Sequence, residues 1–151
     1  MGMDVYGNNK DAYFRNSVWG WHPLADYCVK QAPAITSACR EWHTNDGDGL
    51  NKESCEKLAE ILNTELSSGR TRAYAQIREA ELKALPPVTC DICEGTGKRV
   101  PPPAIGAGNV ECNGCHGQGR KPAWETHYPF SEDNVREWVG FLETCGGFRI
   151  C

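Results

Sequence analysis

Cys90-Asp91-Ile92-Cys93-Glu94-Gly95-Thr96-Gly97-Lys98-Arg99 is followed, at an offset of 22 residues, by Cys112-Asn113-Gly114-Cys115-His116-Gly117-Gln118-Gly119-Arg120-Lys121. Both cysteines, both glycines and the closing basic pair coincide when the two stretches are overlaid. Each half is a Cys-x-x-Cys-x-Gly-x-Gly unit, and 18 residues separate Cys93 from Cys112. Two Cys-x-x-Cys pairs at that separation match the ligand spacing of a four-thiolate zinc site. The expectation is one Zn²⁺ held by Cys90, Cys93, Cys112 and Cys115, with no position left open for water or substrate. Gly95 and Gly117 can supply the positive φ that such tight turns require. Binding needs deprotonated sulfur, so four thiolates leave the ion with a charge of about −2. Lys98, Arg99, Arg120 and Lys121 stand where they can offset that charge; the alternative use of these cations is a phosphate or nucleic-acid contact. His116, beside Cys115, offers an alternative ligand, since sites with three cysteines and one histidine exist.

The two units resemble the repeats of the cysteine-rich domain of DnaJ-type co-chaperones. That family carries four repeats and two zinc ions, whereas this chain carries two repeats, enough for one ion. No His-Pro-Asp tripeptide is present, so the J-domain is missing. The resemblance covers about a fifth of the chain. It implies a zinc fold and a surface that contacts proteins, and it does not imply chaperone activity.

A chain of 151 residues is long enough for one domain with a sizeable core. The expected organisation is a helical body with an aromatic arm over 1–85, a zinc-binding insertion over 86–122, and a C-terminal helix over 123–151 that completes the body. The net charge of −4 and pI near 5.6 argue against a dedicated nucleic-acid binder with a uniformly basic face. Nine cysteines invite a disulfide scaffold. The opening Met1-Gly2-Met3-Asp4, however, has neither the basic nor the apolar region of a secretory signal. The expectation is a reducing cytosol, with Cys28, Cys39, Cys55, Cys145 and Cys151 as free thiols. No run approaches the roughly 18 apolar residues of a membrane span.

Residues 1–22 gather Tyr6, Tyr13, Phe14, Trp19 and Trp21 among Arg15, Asn16 and His22, without a clean period of 2 or 3.6. They read as an irregular arm, either an aromatic staple on the core or a pocket gripping a planar or anionic ligand. Pro23 can open a helix that runs to about Gln31, and Ile35, Ala38, Cys39 and Trp42 share a face of a second helix over 33–42. Thr44-Asn45-Asp46-Gly47-Asp48-Gly49 is an Asx/Gly turn rather than a calcium loop, because one frame closes on Cys55 where a bidentate Glu belongs and the other opens on Trp42. Asp46 and Asp48 are candidate polar walls of a pocket. Asn51 caps a helix over 52–67 with Cys55, Leu58, Ala59, Leu62 and Leu66 on one stripe. A helix over 70–84 is expected to turn Ala73, Ile77, Ala80 and Ala84 inward. Pro86-Pro87 stops it, and Val100–Gly108 is an exposed loop between the knuckles. Ser131 caps a last helix with Val135, Trp138, Val139 and Leu142 inward. Gly146-Gly147 ends it, and 148–151 can add a short strand. The fold class expected is therefore mainly α: about five helices around one core, with an inserted four-cysteine knuckle unit.

The whole chain also resembles small bacteriophage and prophage proteins of unassigned function. The resemblance rests on Tyr13-Phe14-Arg15-Asn16, Trp19-Gly20-Trp21-His22-Pro23-Leu24, Asn45-Asp46-Gly47-Asp48-Gly49-Leu50 and Gly146-Gly147-Phe148-Arg149-Ile150-Cys151. It implies a phage origin and a bacterial host cytosol. The function expected is a zinc-stabilised, non-enzymatic interaction protein that binds a host or phage protein. One alternative is a binder of a small anionic ligand or nucleotide using Arg15, Asn16, Trp19, Trp21, His22, Asp46 and Asp48. Another is a nucleic-acid contact through Lys98, Arg99, Arg120 and Lys121. Thiol–disulfide exchange becomes an option only if no metal holds the cysteine pairs. His22, His43, His116 and His127 sit in no recognisable nucleophile motif.

Overall fold

The structure, a computed structural model, describes residues 2–102 and 104–151; Met1 of the opening and Pro103 of the expected 100–108 loop lie outside the described residues. In chain order the elements begin with β1 (Gly2–Gly7), β2 (Tyr13–Ser17), α1 (Val18–Gln31), α2 (Pro33–Thr36), β3 (Gly49–Asn51), α3 (Lys52–Ser67) and α4 (Arg70–Ala84). Four two-residue strands follow: β4 (Val88–Thr89), β5 (Lys98–Arg99), β6 (Val110–Glu111) and β7 (Arg120–Lys121). A single 3₁₀ turn (Trp124–His127), α5 (Glu132–Thr144) and β8 (Gly147–Ile150) complete the order. The chain divides into two compact units, one of residues 1–80 with 128–151 and one of residues 81–127. No described helix is long and apolar enough to cross a membrane.

The mainly helical expectation is overturned. Helix accounts for 44% of the chain and strand for 18%, and the first unit holds a four-stranded antiparallel sheet in the order β2-β1-β8-β3. Residues 2–17, expected as an irregular arm, form the β1–β2 hairpin with Val5 opposite Phe14 and Tyr6 opposite Tyr13. Met3, Val5 and Phe14 face the core, while Tyr6 and Tyr13 stay about half exposed and touch each other across the strands. The alternation is that of a half-buried strand, in which the outward positions mix Asp4 and Arg15 with Tyr6 and Tyr13. The hairpin loop also serves α5. Asn9 donates through its backbone N–H to the Cys145 carbonyl and through its side chain to the Thr144 carbonyl, at 2.9 and 2.7 Å. These bonds satisfy carbonyls that a helix end leaves without partners.

Against the sheet packs a core dominated by aromatic rings. Trp138 of α5 stands perpendicular to Trp21 of α1 at 5.3 Å between centroids and meets Phe14 and Phe148 at 5.0 and 5.2 Å. Such edge-on pairs add about 0.5–1.5 kcal/mol each beyond their buried area. The Trp21 indole N–H donates to the Trp42 carbonyl at 2.6 Å, which keeps a wholly buried ring from losing a hydrogen bond.

Three helices differ from expectation. α1 starts at Val18, not Pro23, because Ser17 caps it by accepting from the Gly20 N–H at 3.1 Å. Pro23 lies inside the helix, where the N–H it lacks would have met the Trp19 carbonyl. The helix expected over 33–42 shrinks to Pro33–Thr36; past it, Asp48 takes the Arg40 and Glu41 N–H groups at 2.6 and 3.1 Å and bends the chain into a loop. α4 spans the expected residues, yet Ala73, Ile77, Ala80 and Ala84 are not buried, and Thr71 and Leu82 are buried instead. Leu82 hides more apolar surface than an alanine can, and Thr71 is anchored by the Tyr27 hydroxyl at 2.9 Å. α3 and α5 carry the caps and stripes read from their sequences: Asn51 accepts from the Ser54 N–H and Ser131 from the Asn134 N–H.

Candidate metal centre

Each Cys-x-x-Cys-x-Gly-x-Gly stretch folds into the same turn. The Gly95 N–H returns to the Cys90 carbonyl at 3.1 Å, and the Gly117 N–H returns to the Cys112 carbonyl at the same distance. The turns clasp each other: the Cys90 N–H donates to the Gly119 carbonyl and the Cys112 N–H to the Gly97 carbonyl, both at 2.9 Å. Antiparallel pairs β4–β7 and β5–β6 extend the exchange, since the offset of the repeat carries β4 onto β6 and β5 onto β7. The unit is therefore an approximate two-fold, in which each half supplies the other's strand partner.

This clasp brings all four sulfurs together. Cys90 Sγ lies 3.9 Å from Cys112 Sγ, Cys93 Sγ lies 3.7 Å from Cys115 Sγ, and all four fall within 4.8 Å of one another. A tetrahedron with Zn–S bonds of about 2.3 Å has edges of about 3.8 Å, so the quartet fits the ion. Every one of the four is buried. Gly97 and Gly119 donate their N–H groups to Cys93 and Cys115 Sγ at 3.3 and 3.1 Å, bonds that stabilise sulfur in its thiolate form. Burial resists ionisation of the Cys93 thiol, but the Gly97 N–H and the neighbouring thiols outweigh it and lower it below the ordinary thiol range, while burial holds its neighbour Cys115 above that range. The four cysteines can thus hold a metal ion through a complete, soft donor set. His116 is exposed and stands outside the cluster.

The basic pairs also make specific contacts within this unit. Arg99 Nη1 donates to Asn113 Oδ1 at 2.6 Å, and its repeat equivalent Lys121 pairs with Asp91, the repeat equivalent of Asn113. Each half thereby ties its last cation to the residue after the other half's first cysteine. Arg120 Nη2 donates to the Pro87 carbonyl at 2.8 Å, and Lys98 is exposed.

The candidate ligand residues of the first unit do not form one site. Trp21 is wholly in the core. Arg15 is exposed, 3.6 Å from Asp4, and Asn16 donates to Asn134 Oδ1 at 2.7 Å; together with Gly2 and Ser17 they line an open cleft of about 360 Å³. Trp19 and His22 lie along α1 and both meet the Tyr128 ring. His22 Nδ1 reaches His43 Nδ1 at 2.5 Å, and His43 Nε2 reaches Asp26 at 3.0 Å. Burial, then the neighbouring His43, lowers the His22 pKa. The sequence does not announce His43 and Asp26 as partners, because 16 residues of intervening chain hide the meeting of a helix with a loop. Asp46 is exposed, and Asp48 is spent on three backbone N–H groups, those of Arg40, Glu41 and Gly49.

No protein-family model matches this chain, and neither the curated proteins nor the solved structures include a match to it.

Proposed function

We propose that this chain is a zinc-stabilised interaction protein of phage origin, working in a bacterial cytosol by binding another protein and not by catalysis. Cys90, Cys93, Cys112 and Cys115 would hold one Zn²⁺ as a structural ion. The observation that supports this reading is the closure of the quartet: four buried sulfurs at tetrahedral spacing occupy every position that zinc offers, so the ion would fasten the two half-units together and present no site to a substrate. The free energy of such a site is folding free energy for the segment that carries it.

Elemental analysis of protein purified without added metal tests the first part, with one zinc per chain as the expected result. Metal-free protein with Cys90–Cys93 or Cys112–Cys115 oxidised would replace this reading with thiol exchange. Cross-linking in the host cytosol followed by mass spectrometry tests the second part, and a saturable one-to-one adduct with a single protein is expected.

A further inference from the structure

Residues 43–46 form a short arch between two fixed points. At one end Trp42 is buried; its carbonyl accepts from the Trp21 indole N–H at 2.6 Å, and its own indole N–H donates to the Thr36 carbonyl at 3.1 Å. At the other end the Gly47 N–H donates to the Ile150 carbonyl at 2.8 Å. Between these anchors His43 ties the arch to α1. Its Nε2 lies 3.0 Å from Asp26 Oδ1, and its Nδ1 lies 2.5 Å from His22 Nδ1. His22 and Asp26 stand one turn apart on the helix. The Asp26 carboxylate can only accept, so His43 carries its proton on Nε2 and offers Nδ1 as an acceptor, which the His22 Nδ1–H fills. With ring centroids 4.6 Å apart, the two Nδ1 atoms face each other directly. Thr44, in the same arch, buries its hydroxyl oxygen without a hydrogen-bond partner among the described residues. The closed arch bears that cost, and contact with water relieves it.

We propose that the arch is an acid-released latch, held on α1 at neutral pH by the His22–His43–Asp26 chain and let go when both imidazoles are charged. One added proton, taken at His22 Nε2, leaves the bond between the two Nδ1 atoms in place. The second must land on His43 Nδ1, which is the acceptor. Two N–H groups and two positive charges then face each other at contact distance. Asp26 offsets only one of those charges, and its exposure to solvent screens the offset. His22 is fixed on the helix, so His43 gives way and carries residues 44–46 with it. Besides His43, the charged side chain that acts on His22 is Asp26, and the Tyr128 ring lies 5.8 Å away. Burial, then His43, lowers the His22 pKa from the ordinary 6.5, with Asp26 pulling the other way. The unfolded chain therefore binds more protons than the folded one, and this contribution to stability drains away as pH falls below 6.5. The latch does not rest on the protein-binding reading above.

The test is an NMR titration of the imidazole nitrogens in the full-length, metal-loaded protein, from about pH 7.5 to about 4.5. The amide signals of Val5 and Ile150, paired within the sheet, report that the fold is intact throughout. The expected result is two steps for the pair, separated by about one pH unit or more. Ring-to-ring contacts between His22 and His43 should survive the first step and vanish with the second, and the Thr44 and Asn45 amide signals should shift with that second step. In His22→Gln the remaining His43 should titrate in a single step, with no acid shift at Thr44. His43→Gln should do the same for His22. Two independent steps at the ordinary imidazole pH would overturn the latch. So would ring contacts that persist once both imidazoles are charged, or an acid shift at Thr44 that survives in both variants.

Discussion

A Cβ placed on Gly97 would lie 2.2 Å from the carbonyl oxygen of Gly117, in the opposite half of the clasp, and the reciprocal contact joins Gly119 to the Gly95 carbonyl at the same 2.2 Å. Gly97 also holds φ at +71°. Gly97→Ala therefore combines left-handed strain with a collision against backbone that closes the metal site. A loss of about 2 kcal/mol or more is expected, with weaker metal retention in a competitive chelator titration. Gly140 of α5 is the control: a Cβ added there would meet nothing within 4 Å, and Gly140→Ala should raise stability by about 0.5–1 kcal/mol in thermal melts.

Chelation should unfold one unit and spare the other. The Cys90 and Cys112 N–H groups are protected only by the clasp, whereas β1 and β8 pair within the sheet. Hydrogen exchange after metal removal should show protection lost at residues 90 and 112 and retained at Val5 and Ile150. Uniform loss across both units, or none in either, contradicts the assignment of the quartet as the fastener of 81–127.

Of the five cysteines outside the quartet, Cys151 is exposed and Cys28, Cys39, Cys55 and Cys145 are buried. Burial pushes the Cys28 thiol up to about 12, and burial with the Asp48 carboxylate does the same to Cys39. Metal-loaded native protein should present one fast thiol to an alkylating reagent at neutral pH, and Cys151→Ser should remove it. Several fast thiols in the native protein would mean that the core around α3 and α5 opens readily.

Asp48 gives a pH signature. Its carboxylate accepts from the Arg40, Gly49 and Glu41 N–H groups, which hold its pKa below the ordinary 3.8. A group depressed on folding stabilises fully above its unfolded pKa, and that contribution drains away as pH falls through the lower folded value. Denaturant melts should show stability dropping with acidity below about pH 4, and Asp48→Asn should flatten that limb while lowering stability at neutral pH. An unchanged acid limb in the variant contradicts this role.

The cysteine quartet is legible because metal ligation constrains the spacing of its donors directly, and a repeat is visible without knowing what surrounds it. The sheet is not. Tyr6 and Tyr13 put large rings on the outward face of the hairpin, which hides the alternation that Met3, Val5 and Phe14 would otherwise display. α4 misleads for a related reason: its alanines and Ile77 sit at helical spacing, but burial goes to Leu82 and to Thr71, whose partner Tyr27 lies 44 residues earlier in the chain. The caps of α3 and α5 are readable, since Asn51 and Ser131 act on N–H groups three residues away. Asp48 acts backward across a loop, and no local pattern announces that.

β8 follows every other element in the sequence, yet it lies between β1, the first, and β3. Neither neighbour can complete its hydrogen bonding until translation has passed residue 150. Residues 81–127 carry their own clasping contacts and can close while the ribosome is still working. The two units thus keep different clocks: the knuckle matures early from nearby contacts, and the sheet waits for its central strand. During that interval the β1–β2 hairpin has an open edge, and Met3, Val5 and Phe14 on its inward face have no α5 to cover them.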